Sequence, residues 1–203
     1  MENLIKEIYK MISSEKADFK EISKRINDNS ENNPKTKNEL LNQYSEIHLD
    51  ILLEKLKKKE SLEINLNQDK ILSFSYEGKT FKKTKENRIY VQDSLMTIIA
   101  EYDNLATFQN TPIIFEVKMG SYGSIYRSLE KKKLRKKIKP IQKAFSKQPI
   151  LIYAVPKEVF EKYHNSNEKG ILNLKEYNGL MIPFHYSKNE FSKELISFIG
   201  QNK

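Results

Sequence analysis

The chain lacks several residue types, and each absence narrows the sites that it can build. Its 203 residues include no cysteine and no tryptophan. Without cysteine, neither a disulfide framework nor a thiolate zinc site is available. The three histidines, at positions 48, 164 and 185, are too scattered for a histidine metal cluster. We expect each of them at the surface or as filler within a helix.

Long apolar runs are also missing. No run approaches the roughly 18 residues that a membrane-spanning helix requires. The N-terminal residues are amphipathic and charged, unlike a secretory signal. The sequence therefore predicts a soluble cytoplasmic protein with no membrane partner, associated with the nucleoid if the source is bacterial or archaeal.

Acidic residues are outnumbered by basic ones. The chain has 27 aspartates and glutamates against 36 lysines and arginines, a net charge of +9. Such an excess favours a polyanionic partner, and nucleic acid is the first candidate. A lysine-rich proteome would supply part of the same excess without any binding.

The first 36 residues predict two short helices, over residues 3–13 and from about residue 17 to residue 26, followed by a polar stretch that contains Pro34. We expect this segment either to cap the domain or to contact DNA as the start of a helix-turn-helix. A third helix is predicted over residues 37–58 and begins a domain that spans residues 37–203. No repeat or low-complexity linker divides the chain further.

Within that domain, residues 61–92 predict an inserted β-meander. Its strands are expected over residues 62–66, 71–76 and 80–83, with a turn at Glu77-Gly78. Lysines and Arg88 along this segment suit contacts with a phosphate backbone, which position a duplex without reading its sequence.

The most informative stretch follows the meander. An apolar run over residues 95–100 predicts a strand that leads to Asp103, and a buried strand over residues 113–117 precedes Lys118. Because side chains alternate along a strand, Glu116 and Lys118 share one face and Val117 points to the other. The turn residues 109–112 predict a hairpin that returns Asp103 beside Glu116. Paired carboxylates are typical ligands of Mg²⁺. A neighbouring lysine can orient, or help deprotonate, a metal-bound water that attacks a phosphodiester.

Asp103, followed by Glu116-Val117-Lys118 at the end of a strand, resembles the Asp…Glu-x-Lys signature of the PD-(D/E)XK nuclease superfamily. Tyr102 stands where the family name has proline. The resemblance extends over roughly residues 38–185 and implies an α/β, restriction-endonuclease-like fold, in which helices flank a mixed β-sheet. It also implies a metal-dependent endonuclease that hydrolyses DNA, as a restriction enzyme, junction resolvase or repair nuclease does. Mg²⁺, with Mn²⁺ as a substitute, and a homodimer are expectations of the same kind.

The resemblance assigns roles to individual residues. It implies that Asp103, Glu116 and Lys118 are the catalytic residues. It also implies that the metal is bound by Asp103, Glu116 and the backbone carbonyl of Val117. In the family, a helix before the catalytic sheet often adds an acid. Glu46 is the first candidate for that acid and Asp50, one turn later, the second, although either is equally well explained as an ordinary solvated acid.

A helix predicted from residue 125, kinked or restarted at Pro140, carries an outward face of cations. After Glu130 this face has no interleaved acids, so several phosphates bound there would give steeply salt-dependent binding. Lys133 and Lys137 are expected on the same face. The residues that we assign to nucleic acid are Arg127, Lys131, Lys132, Arg135, Lys136 and Lys139.

The remaining elements predict an α/β succession. Strands are expected over residues 149–155 and 179–184, the second at a sheet edge because Pro183 cannot donate to a ladder. Helices are expected over residues 156–163 and 189–199. Other interpretations stay open: a non-catalytic basic DNA-binding protein that uses its N-terminal helices, a basic assembly protein, or a nuclease whose substrate is RNA.

Overall fold

The computed structural model describes residues 1–28, 36–58, 71–84, 88–164 and 169–201. Within these ranges the chain forms two four-stranded sheets flanked by helices. The helices are α1 (Glu2–Ser14), α2 (Phe19–Asp28), α3 (Lys37–Lys58), α4 (Tyr122–Ser128), α5 (Lys131–Phe145), α6 (Lys157–His164), α7 (Lys169–Glu176) and α8 (Lys188–Gln201). The strands are β1 (Ser75–Tyr76), β2 (Lys79–Lys83), β3 (Ile89–Gln92), β4 (Ile98–Tyr102), β5 (Asn104–Phe108), β6 (Thr111–Val117), β7 (Ile150–Val155) and β8 (Gly179–Pro183).

The first sheet is an antiparallel meander in the order β1-β2-β3-β4. Phe81, Val91 and Ala100 lie opposite one another on its three longer strands and are all buried. This alternation leaves the other face of the sheet to half-buried and exposed residues. The sheet continues past residue 92, since β4 is its fourth strand.

The second sheet is mixed, in the order β5-β6-β7-β8. β5 and β6 form an antiparallel hairpin, whereas β6, β7 and β8 run parallel to one another. Parallel neighbours require long crossover connections, and helices α4 to α7 supply them. β8 lies at the edge, which confirms the position predicted from Pro183.

Two hydrophobic cores enclose the second sheet. Ile113, Phe115 and Val117 belong to a cluster with α1, α3 and α8, whereas Ile114, on the opposite face of β6, belongs to a cluster with α5 and the first sheet. The N-terminal helices are therefore built into the same core as the sheet, through side chains such as Leu4. None of the described helices is both long and apolar enough to cross a bilayer.

The helix predicted from residue 125 is divided at a different place. The chain leaves the helical conformation at Leu129 and Glu130, and α5 then continues through Pro140 to Phe145. The prediction of a restart at Pro140 was wrong. The break is fixed by tertiary contact, because the side chain of Asn173 donates a hydrogen bond of 3.0 Å to the carbonyl of Leu129.

Two strand predictions were partly wrong. Of residues 71–76 only Ser75 and Tyr76 form a strand, because residues 71 and 72 are helical. The apolar run over residues 95–100 does not become a strand until Ile98, and the resulting β4 pairs within the meander. The expected strand over residues 62–66 lies outside the described residues. Helix α7 was not predicted.

Candidate functional site

The β5–β6 hairpin sets the position of Asp103. Asn104 pairs with Phe115, so Asp103, one residue before β5, falls opposite Glu116. Gln109 and Asn110 form the two-residue turn with φ of 48° and 60°. Positive φ at both central residues characterises the type I′ turn, whose twist matches that of paired strands. The predicted hairpin is confirmed by this register.

The side chain of Asp103 is held by the strand that it faces. Its Oδ2 atom accepts a hydrogen bond of 2.7 Å from the backbone N–H of Val117 and lies 3.4 Å from Nζ of Lys118. A backbone donor cannot rotate away, so the carboxylate orientation is fixed by the hairpin itself. The side chain of Val117 is buried on the opposite face of β6.

Glu116 is fully buried, with 0% of its surface exposed. Its Oε1 atom lies 2.5 Å from Nζ of Lys137, and its Oε2 atom lies 3.2 Å from Nζ of Lys118. Burial and the neighbouring Asp103 carboxylate raise the pKa of Glu116, and the two ammonium groups oppose them. Buried carboxylates are costly unless they are paired, and Lys118 and Lys137 pair this one from two sides.

Lys118 bridges the two carboxylates. Burial lowers the pKa of its ammonium group, but the carboxylates of Asp103 and Glu116 outweigh burial and raise the pKa well above its usual range. The ammonium therefore stays protonated at neutral pH and acts as a hydrogen-bond donor and a positive charge.

Helix α3 adds two further acids, Glu46 and Asp50. Glu46 forms an ion pair with Arg88, while burial and the nearby Asp103 raise the pKa of Glu46 to about 8. Oδ1 of Asp50 accepts a hydrogen bond of 2.6 Å from the side chain of Asn104, and burial raises the pKa of Asp50 to about 6. Asp50 thus contacts the first residue of the hairpin and Glu46 contacts the residue before β3, and neither is an ordinary solvated acid.

Lys137 was wrongly predicted on the outer face of its helix. Its Nζ atom reaches both Glu116 and, at 2.6 Å, the backbone carbonyl of Glu101. The sequence holds a signal for this placement. Leu134, Ile138 and Ile141 are buried at helical spacing, and position 137 falls within the same i, i+3, i+4, i+7 stripe.

Other residues of the site were also missed. Arg88 was considered only for phosphate contacts, and Asn104 and Tyr153 were given no role. Tyr153 pairs with Glu116 in the parallel ladder and is buried, and burial together with Glu116 raises the pKa of its hydroxyl. No periodicity within β7 distinguishes Tyr153 from its apolar neighbours, so only the strand register reveals it.

The donor set matches a hard divalent cation in its chemistry. All candidate ligands are oxygens, and the buried Oε2 atom of Glu116 has no aligned hydrogen-bond donor among the described residues. As placed, no three histidine, aspartate or glutamate side chains within the described ranges converge into a metal-binding group. Mg²⁺ needs only one or two carboxylates and keeps several waters. Asp103 and Glu116, with the carbonyl of Val117, therefore fit it.

The cations assigned to nucleic acid differ in their surroundings. Lys131 pairs with Glu176 at 2.6 Å, and Lys139 pairs with Glu77 at 3.3 Å. Four others are exposed and form no ion pair with any described residue: Arg127, Lys132, Arg135 and Lys136. These four are the side chains with most freedom to meet a phosphate.

His48 lies in the core and not at this site. His48 was expected at the surface or as helix filler, but only 1% of its surface is exposed, and its ring lies 6.1 Å from that of Phe184. Burial lowers its pKa to about 4. His48 is thus a neutral core residue on α3.

Comparison with known proteins matches no family model and no curated protein.

Proposed function

We propose that the protein is a metal-dependent nuclease that hydrolyses phosphodiester bonds in DNA, and that its second sheet is the core of a restriction-endonuclease-like fold. One observation carries the proposal: the hairpin register brings Asp103 and Glu116 together, and Lys118 lies within 3.4 Å of both carboxylates. A scattered Asp…Glu-x-Lys pattern has no reason to converge in this way.

The burial of the charges supports a functional purpose. Asp103 repels both Glu46 and Glu116 in one partly buried region, and burial leads the causes that raise the pKa of Glu46 and Glu116. Replacing buried ion pairs with apolar residues is often neutral or stabilising. Stability alone therefore does not explain a buried cluster of charges, and acids with perturbed pKa values are typical of catalytic sites.

Asp103 and Glu116, together with the backbone carbonyl of Val117, are the residues that would hold Mg²⁺ or Mn²⁺, and Glu46 is the additional acid from α3. When bound, the ion supplies Lewis-acid stabilisation of charge on the phosphate and lowers the pKa of water. The proposal requires no third carboxylate, because two suffice for Mg²⁺.

Lys118 carries a protonated ammonium group, which can donate hydrogen bonds. Its ammonium holds Asp103 and Glu116 in place and donates hydrogen bonds toward the attacking water or a phosphate oxygen. Preorganised positive charge of this kind stabilises the negative charge that develops in the transition state. Its place beside both carboxylates suits Lys118 to orient the attacking water.

The exposed cations of α5 would bind the phosphate backbone beside the site. Lys137 and Lys139 lie on this helix, and Lys137 reaches Glu116 directly. Lys137 therefore joins the helix that carries the exposed cations to the carboxylates. Binding through the N-terminal helices has less support, because the apolar residues of α1 pack into the core against the second sheet.

The test is cleavage of supercoiled plasmid and of single-stranded DNA with Mg²⁺, with Mn²⁺ and with EDTA. We expect the wild type to cut only with a metal, and Asp103→Asn and Lys118→Ala to cut at least about a hundredfold more slowly. Lys193→Ala, which removes an exposed charge from α8, is the matched control and should retain the rate.

Two results would overturn the proposal. Cleavage that persists in both site variants would place the activity elsewhere, and binding without cleavage of DNA under every condition would favour a binding protein. An RNA substrate belongs in the same experiment, because cleavage of RNA alone would keep the hydrolytic site and change only the substrate class.

A further inference from the structure

The turn between β3 and β4 exposes a group of large apolar side chains. Leu95 is 83% exposed, Met96 80% and Ile98 59%. We refer to these three residues as the apolar tip. Single exposed apolar residues are common on proteins, but contiguous ones mark interaction sites.

The apolar tip is ordered by its own hydrogen bonds. Oδ1 of Asp93 accepts hydrogen bonds from the backbone N–H groups of Leu95 at 3.0 Å and Thr97 at 2.9 Å. The N–H of Met96 also donates to the carbonyl of Asp93 at 3.0 Å. Met96 has a φ of 62°, a left-handed conformation that residues other than glycine adopt at a cost. A strained turn that holds two apolar side chains in water is preorganised for contact with a partner.

Positive charge surrounds the neighbouring turn of the same sheet. The β1–β2 turn lies at the same end of the meander, because residue 80 pairs with residue 92. Two strand spacings, roughly 10 Å, separate the two turns. Glu77 in the β1–β2 turn pairs with Lys139 at 3.3 Å and with Lys79 at 3.8 Å. Two lysines outnumber the one glutamate there, so the turn beside the apolar tip carries a net positive charge.

Lys139 also lines a groove of about 580 Å³ on the surface of α5. Its polar lining includes three cations and two amides: Arg135, Lys139, Gln142, Lys143 and Gln148. We refer to it as the basic groove. Its charge and hydrogen-bond donors suit successive phosphates. The apolar tip and the basic groove are thus two features at one end of the first sheet.

The size of the apolar tip decides between partners. A stable protein interface buries roughly 800 Å² on each side, far more than three side chains offer. A wedge between base pairs needs only one or two apolar side chains, provided that cations hold the backbone nearby. The nearby cations and the small area therefore both favour nucleic acid over a second copy of the chain.

We propose that the apolar tip inserts between adjacent base pairs of a DNA duplex whose backbone lies in the basic groove. This inference rests on the proposed function. Asp103 follows Ile98 of the tip by five residue steps along β4, a span of roughly 17 Å. That span equals about five base-pair steps of B-DNA, so the kinked step lies about half a helical turn from the cleaved phosphate.

Insertion would select for deformable DNA. Pyrimidine–purine steps unstack easily, and damaged or mismatched steps unstack more easily still. The protein would therefore recognise how easily a step deforms, at a position where it makes no hydrogen bond to a base. Specificity for a distorted or flexible step is the functional consequence.

The experiment places 2-aminopurine at successive positions of a duplex and measures its fluorescence with wild-type protein in EDTA, where no strand is cut. We expect at least a twofold rise at one or two adjacent positions. The double variant Leu95→Ser with Met96→Ser should lose that rise and bind with reduced affinity. Leu172→Ser, which changes another exposed leucine far along the chain in α7, should retain it. Met96→Asn keeps a residue that tolerates positive φ, and it should weaken the signal without altering the melting temperature.

The outcomes separate the two proposals. Binding or cleavage without a fluorescence change at any position overturns the wedge and leaves the nuclease intact. A dimer in sedimentation that the double variant dissociates assigns the apolar tip to a second copy and also overturns the wedge. Failure to bind and to cut any DNA overturns both.

Discussion

The ammonium group of Lys137 lies 2.5 Å from Oε1 of Glu116, a carboxylate with no exposed surface, and so joins helix α5 to the end of strand β6. Lys118 supplies the second positive charge on the same carboxylate. The site therefore depends on a residue outside the Asp…Glu-x-Lys pattern, and Lys137 both neutralises Glu116 and holds α5 over the sheet.

Removing Lys137 is expected to destabilise the fold. Lys137→Met leaves Glu116 buried with one counter-charge instead of two, and we expect the free energy of unfolding to fall by about 2–4 kcal/mol. Urea denaturation at neutral pH measures the change. Lys136→Met, on the exposed side of the same helix, should change stability by less than about 0.5 kcal/mol.

A double-mutant cycle isolates the pair itself. Glu116→Gln relieves the buried charge, so Lys137→Met should cost much less in that background than in the wild type. Equal costs in the two backgrounds would show that Lys137 contributes through packing against Tyr102, whose ring centre lies 5.8 Å from its Nζ atom.

His48 predicts how stability depends on pH. Its pKa is about 4 in the folded state, against 6.5 for the ordinary side chain. Between these values the unfolded chain binds a proton that the folded chain does not, so His48 destabilises the fold as pH falls from about 6.5 to 4. Above pH 6.5 the imidazole is neutral in both states and the fold keeps its full stability. Acidification below pH 4 lowers the free energy of unfolding by about 3 kcal/mol through His48.

The measurement compares urea midpoints of the wild type and of His48→Leu across this pH range. Acids elsewhere titrate equally in both proteins, so the difference between the two curves isolates His48. The difference should grow in favour of the variant as the solution is acidified. Parallel curves would mean that His48 is protonated or solvated in the folded protein.

The β5–β6 turn offers a stabilising substitution. Asn110 adopts a φ of 60° in a two-residue turn, where glycine is preferred because it carries no Cβ. Asn110→Gly should raise the free energy of unfolding by about 0.5 kcal/mol and leave cleavage unchanged. Asn110→Val should lower it by about 1–2 kcal/mol, because branched side chains fit this conformation poorly. Thermal unfolding of the three proteins tests the order.

The cations of α5 predict the salt dependence of DNA binding. Arg135→Ala and Lys136→Ala should each reduce the slope of log affinity against log salt by about 0.9 if the side chain contacts one phosphate. Lys131→Ala should have a smaller effect, since Glu176 already neutralises Lys131 at 2.6 Å. Fluorescence anisotropy between roughly 50 and 200 mM salt covers the steep range. An equal effect of all three substitutions would point to diffuse charge without defined contacts.

The sequence was most informative where local patterns and tertiary packing agree. Helix α3 has the predicted bounds of residues 37–58, because its apolar spacing and its flanking polar residues indicate the same ends. The hairpin that places Asp103 opposite Glu116 was predicted from its turn residues and from alternation alone. These features depend on interactions between residues close in the chain.

The features that the sequence did not reveal depend on distant partners. Leu95 and Met96 were assigned to a strand by their apolar character, although Asp93 closes a turn around them. The end of α4 depends on Asn173, more than forty residues away. Lys137 was assigned to the solvent face by its charge, since the buried carboxylate that attracts it belongs to another element.

Asp103 is the single residue between β4 of the first sheet and β5 of the second. A change in the angle between the sheets must therefore be absorbed at this residue or in its immediate neighbours. The carboxylate is also anchored to the backbone of β6, so a load applied to the meander by a bent polymer reaches the acid through one peptide unit. The apolar tip and the carboxylate of Asp103 are thus linked mechanically through β4.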